Sequence, residues 1–258
     1  MKKIGIVGGV GWRSTVDYYG GICLLAEEKH RREKKKGPIP IPEICIESLD
    51  LAKAIALLDD GEERNHWGGF DAYHREALKR LEAGGADFAL IASNTPHDRF
   101  DEIVDGIDMP VINIFEVAAR RASAAGYHEL LLLGTPLTMA SAQVRQAFER
   151  HGIQIICPPR RLFLRISQLI ARLQRGEFAN TKNELQEIVR SATPPQSDDI
   201  QAVCLACTDL ALAVAETARS FSIKFEGFDY LDPTAAHIEE AFGRAVQIER
   251  AESFGRTP

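Results

Sequence analysis

Residues 2–11 read KKIGIVGGVG, and residues 129–138 read ELLLLGTPLT. Each is an apolar run of the length of one buried strand, cut by glycine where a strand turns into a helix. The two stretches open two halves with the same order of parts. Further along the first half comes FALIASNT (88–95) before Pro96, and further along the second comes AVCLACT (202–208) before Asp209. In both, an apolar strand ends in a small polar turn. Further strand-like runs lie at residues 44–46, 111–114, 153–156 and 223–225. Between the strands, apolar residues recur at helical spacing over 71–82, 140–151, 162–175 and 183–191, the last before a break at Pro194-Pro195. This alternation predicts an α/β fold of mostly parallel sheets flanked by helices. The repeat suggests two similar halves, which would enclose one cleft if they face each other; the domains expected are residues 1–115 with 212–258 and residues 116–211. Ligands of open α/β sheets bind beyond the carboxyl ends of the strands. The four turns are therefore the candidate site, with Ser93 and Cys207 expected to oppose each other.

Composition removes several function classes. The chain has 258 residues, 45% hydrophobic and 26% charged, with a net charge of −6. That charge offers no general attraction to nucleic acid. The local basic run at residues 29–36 reads as the solvated end of a helix before Gly37-Pro38. No run reaches the ~18 apolar residues of a membrane span, and the N-terminal MKKIGIVGG reads as a first strand, not an export signal. A cytoplasmic protein without nucleic-acid or membrane partners is expected. The five cysteines form no disulfide framework. Cys204 and Cys207 make a C-x-x-C, but with no second pair and no histidine cluster, neither a metal nor redox chemistry is expected there.

The turn Gly8-Gly9-Val10-Gly11 follows a strand and precedes a helix, but it is neither G-x-G-x-x-G nor a Walker loop. It reads instead as a tight turn in which Gly9 presents backbone N–H to a carboxylate, with Trp12, Arg13, Ser14 and Thr15 opening a helix whose N-terminus favours an anion. A structural turn explains the same residues. In Ser93-Asn94-Thr95-Pro96-His97, Ser93 or Thr95 is a candidate helix cap with Pro in the first turn. Cys207-Thr208-Asp209 also ends a strand and begins a helix. A buried small hydrophobe accounts for such a cysteine, whereas a thiol at a helix N-terminus has a stabilised thiolate and is reactive.

The ordered set GGVGW, SNTPH, LLLGTPLTM, ACTDL and Asp232-Pro-Thr-Ala-Ala-His237 resembles the aspartate/glutamate racemase family over nearly the whole chain. That resemblance implies a cofactor-independent enzyme with two pseudo-symmetric domains and a cysteine after the strand in each half. Here the second cysteine matches as Cys207, whereas Ser93 stands at the first position. Asp209 after the second motif points to the aspartate racemase-like branch. Moving an α-proton without pyridoxal phosphate needs a base on each face of the carbon and donors aimed at the carboxylate. The family's pattern implies Cys207 and Ser93 as the catalytic pair, with Asn94, Thr95, Thr135, Thr138 and Thr208 as donors. Ser48 is an added substrate-binding candidate beside Gly9 and Trp12, and Arg175 is one for the distal carboxylate. Because an unassisted hydroxyl is a weak base, the two directions are expected to be unequal. His97 and Asp209 are candidates to assist. Two alternatives stand beside this: a single-cysteine decarboxylase or isomerase of a small dicarboxylic acid, and a non-catalytic amino-acid-binding homologue. The resemblance also implies a homodimer.

Overall fold

The structure, a computed structural model, describes residues 1–58, 67–193, 200, 202–214 and 220–247. The chain divides into two compact units, residues 1–113 with 237–258 and residues 114–236. In the first unit, β1 (Ile4–Gly8) leads into α1 (Trp12–Arg32), followed by β2 (Ile44–Ser48), α2 (Leu51–Ala56), α3 (Gly68–Ala83) and β3 (Phe88–Ile91). A 3-10 turn (Thr95–Arg99), α4 (Phe100–Val104) and β4 (Val111–Ile112) follow. The four strands form one parallel sheet in the order β2-β1-β3-β4. β1 and β3 are buried at every position. That is why they read as continuous apolar runs without the alternation of a half-exposed strand.

The second unit holds α5 (Ile114–Ala124), β5 (Glu129–Gly134), α6 (Pro136–Ala140), α7 (Ala142–Glu149), β6 (Gln154–Ile156), α8 (Phe163–Gln174), α9 (Thr181–Ala192), β7 (Ala202–Ala206), β8 (Ser222–Phe225) and β9 (Phe228–Leu231). Its sheet runs β6-β5-β7-β9-β8, parallel except for the β8–β9 hairpin. On α8, Ile166, Leu169, Ile170 and Leu173 are buried at i, i+3, i+4 and i+7, the stripe that seats an amphipathic helix on its core. Truncating one such residue to Ala costs about 2–5 kcal/mol. The last helix, α10 (Pro233–Val246), starts in the second unit and belongs to the first from His237 onward.

The architecture agrees with the expected fold class, but several details depart from the reading of the sequence. Residues 212–236, expected with the first domain, belong to the second unit, because β9 pairs with β7. The helix expected over 140–151 is α7, which begins only at Ala142: Ser141 is extended and its Oγ accepts from Val144 N–H, so it caps α7 and separates it from α6. The Pro194-Pro195 break lies outside the described residues. Among the described residues, no helix is long and apolar enough to cross a membrane.

Candidate functional site

In the first unit, parallel pairing brings the turns together. Gly8 is in register with Ser48 across β1–β2, and Val7 with Ile91 across β1–β3. Gly9, Ser48 and the Ser93 turn therefore leave one edge of the sheet side by side. Gly9 has φ +88°, and a Cβ there would lie 2.1 Å from Leu49 O and 2.8 Å from Ser48 Oγ. Only glycine fits this approach. Its N–H, expected to meet a carboxylate, donates to Thr15 Oγ1 at 2.9 Å. Trp12, 61% exposed at the start of α1, carries the Arg13 guanidinium over its ring at 4.5 Å.

β3 ends in the second turn of this edge. The residue at the cap position of the following 3-10 turn is Asn94, not Ser93 or Thr95, and its side chain makes no capping hydrogen bond. Asn94 is 5% exposed, and neither its Oδ1 nor its Nδ2 has a hydrogen-bond partner among the described residues. Leaving both groups of a buried amide unpaired costs about 1–3 kcal/mol apiece. Ser93 and Thr95 are half-buried. His97 Nδ1 lies 2.9 Å from Ser93 O, so the imidazole meets the backbone of Ser93 through its carbonyl. Burial, only partly offset by hydrogen bonds to carbonyls, brings the His97 pKa down to about 4. Behind it, Tyr18 Oη lies 2.8 Å from His237 Nδ1, and His237 Nε2 lies 3.0 Å from Ile112 O. Arg99, at the end of the same turn, is tied to the buried Asp71 of α3 at 3.0 Å.

In the second unit, β5 and β7 are in register from Leu130↔Ala202 to Gly134↔Ala206, so the turns after them adjoin. A Cβ on Gly134 would stand 2.7 Å from Ala206 O, a close approach that glycine permits. Thr135 Oγ1 accepts from Thr138 N–H at 3.2 Å and lies 3.0 Å from Thr138 Oγ1, which fixes both hydroxyls at the start of α6. Cys207, Thr208 and Asp209 are all buried. Cys207 Sγ lies 3.9 Å from Asp209 Oδ2, the reach of a weak S–H donor, and Gln174 Nε2 donates to the same oxygen at 3.2 Å. The expected helix beginning at Cys207 is instead one short 3-10 turn, Leu210–Ala213. A carboxylate, that of Asp209, is thus one polar neighbour of the thiol. Cys204, the other cysteine of the C-x-x-C, is a fully buried thiol whose pKa is pushed up, first by burial and then by the Asp232 charge.

The remaining candidate is placed differently from the expectation. Arg175 is 59% exposed, with Nε 2.6 Å from Glu177 Oε1, so an exposed carboxylate of its own chain already holds its guanidinium. The residue of this stretch that reaches the cysteine turn is its neighbour Gln174. Sequence reasoning passed over Gln174 and Tyr18, which carry no motif. His237 was visible in the quoted motif but had no partner to give it meaning until α1 and β4 were placed around it.

The fold has solved counterparts. An aspartate racemase homologue from Pyrococcus horikoshii OT3 is 27% identical with a TM-score of 0.74, covering 95% of this chain and 99% of its own. The Picrophilus torridus aspartate racemase, at 19% identity and TM-score 0.69, covers 94% and 95%, and a Campylobacter jejuni glutamate racemase, at 18% and 0.59, covers 94% and 85%. The last two speak for the fold alone. The sequence model of one family matches residues 7–241 and takes in every turn described above, and on that span the chain belongs to the Asp/Glu/Hydantoin racemase family.

Proposed function

We propose that this chain, an isomerase of the racemase type by family, racemises a small acidic amino acid, aspartate or glutamate, without a cofactor. The supporting observation is the Asn94 amide, buried beside Ser93 with both its polar atoms unpaired among the described residues. A substrate carboxylate accepting from Nδ2, and a group donating to Oδ1, would satisfy it. Cys207 takes the α-proton on one face, with Asp209 as the acceptor beside its thiol. Thr135, Thr138 and Thr208, with Thr95 in the other turn, donate hydrogen bonds where negative charge grows on the substrate. Ser93 serves the opposite face as a proton donor. Its hydroxyl is bonded to no base among the described residues, and so the two directions are unequal. The protein works in the cytoplasm as a homodimer. The unassisted Ser93 hydroxyl also favours a second reading, in which Cys207 alone protonates a carbanion left by decarboxylation or isomerisation of a small dicarboxylic acid.

The test is incubation of the protein, with nothing added, with each enantiomer of aspartate and glutamate in D₂O, followed by NMR and chiral chromatography. Deuterium entering Cα with inversion, abolished by Cys207→Ala and evened between directions by Ser93→Cys, is the expected result. A folded protein that exchanges no proton of any of the four substrates overturns the racemase reading and turns attention to malonate-type acids.

A further inference from the structure

Two buried histidines of the first unit make complementary hydrogen bonds. His237, 0% exposed, turns Nε2 to the carbonyl of Ile112 at the end of β4. A carbonyl only accepts, so Nε2 carries the proton and Nδ1 is the acceptor for the Tyr18 hydroxyl at 2.8 Å. His97, 2% exposed, turns Nδ1 to the carbonyl of Ser93, so Nδ1 carries its proton, the opposite tautomer to that of His237. The two rings meet edge to face with centroids 6.0 Å apart, and Phe100 stacks on the far side of His97. A line of fixed contacts thus runs from Tyr18 on α1 through His237 on α10 to His97 and the Ser93 carbonyl.

From this geometry we infer that His97, braced by His237 and Tyr18, is a positioning residue that sets the Ser93 hydroxyl for proton return. The inference rests on the reading of Ser93 as the second proton-transfer group. The His97 proton that faces Ser93 is committed to the carbonyl and does not reach the hydroxyl, so the ring acts on placement. Rotation of the Ser93 peptide moves its Oγ, while the Cys207 turn lies on strands of another sheet. Loss of the His97 donor therefore damages one half-reaction selectively. Proton abstraction and return by Cys207 alone give exchange with retention, and inversion additionally requires Ser93.

The experiment measures, in D₂O, the ratio of inversion to exchange with retention for the enantiomer that Cys207 deprotonates. His97→Leu removes the donor, and His97→Asn replaces it with an amide N–H at nearly the same position. The expected result is a fall of about tenfold or more in that ratio for His97→Leu, the scale of a misplaced reacting group, with recovery in His97→Asn. A fold defect or a merely structural role lowers both processes by one factor and overturns the inference. A second measurement needs no turnover and no variant: ¹⁵N correlation of the wild-type imidazoles reads the tautomers. His97 as Nδ1–H and His237 as Nε2–H are expected, and either ring in the opposite tautomer overturns the relay. Wild-type protein with the expected tautomers and no exchange overturns the racemase reading, and with it the role of Ser93. Exchange with the wrong tautomers overturns the positioning role alone.

Discussion

Acidification from about pH 7.5 to about pH 5 should remove a large part of the folding stability through buried histidines, before most carboxylates titrate. His74 and His97 are pulled from 6.5 down to about 4, in both cases chiefly by burial, and His237 is held well below 6.5 for the same reason. The folded state keeps these rings neutral while the unfolded chain takes up protons below 6.5. Their stability is therefore whole above that pH and is lost progressively as pH falls toward 4. At pH 5, a ring at 6.5 unfolded and about 4 folded favours the unfolded state by about 2 kcal/mol. The two rings at about 4 amount to about 4 kcal/mol, and His237 acts in the same direction, against a total stability of about 5–15 kcal/mol for a typical protein. Urea unfolding at the two pH values, followed by far-UV circular dichroism, measures the difference. His74→Gln, which removes one ring packed on Phe70 at 4.2 Å, should shrink that difference by about 2 kcal/mol, whatever its own stability at neutral pH. A wild-type difference below about 1 kcal/mol would refute the claim that these rings are neutral and shielded in the fold.

Two further outcomes follow from the turns. Gly9→Ala places a methyl group 2.1 Å from Leu49 O at φ +88° and should cost about 3 kcal/mol or more; unfolding midpoints within experimental error of wild type would show that the turn relaxes freely. Asp209→Asn removes the carboxylate beside Cys207 Sγ while keeping an oxygen for Gln174, and should slow α-proton exchange about a hundredfold with little change in stability. Unchanged exchange would leave Asp209 a purely structural role.

The legible parts of this protein share one physical property. A strand buried on both faces is a contiguous apolar run, and the turn that ends it must be small and polar, so β1, β3, β5 and β7 and the four turns after them stand out from local sequence. Ser93, Asn94, Cys207 and Asp209 could be named for that reason. β9 escaped because FDYL, partly exposed and flanked by a hairpin glycine, has no such run. Without a signal for β9, nothing in the local sequence ties residues 212–236 to the second unit. Ser141 hid a helix break because its cap is a hydrogen bond to residue 144 and not a change of composition.

What local sequence decided, then, is the α/β class, the order of the buried strands β1, β3, β5 and β7 with their turns, and the identity of the residues at those strand ends, since these follow from burial and from the backbone needs of single turns. Tertiary structure alone decided which of those residues have partners. Gly9 N–H is taken by Thr15, Arg175 by Glu177, and the Ser93 carbonyl by His97, while the Asn94 amide is left buried and unpaired among the described residues. Hydrogen bonds such as that of His237 with Tyr18, 219 positions away, depend on packing between distant elements, and no periodicity along the chain encodes them.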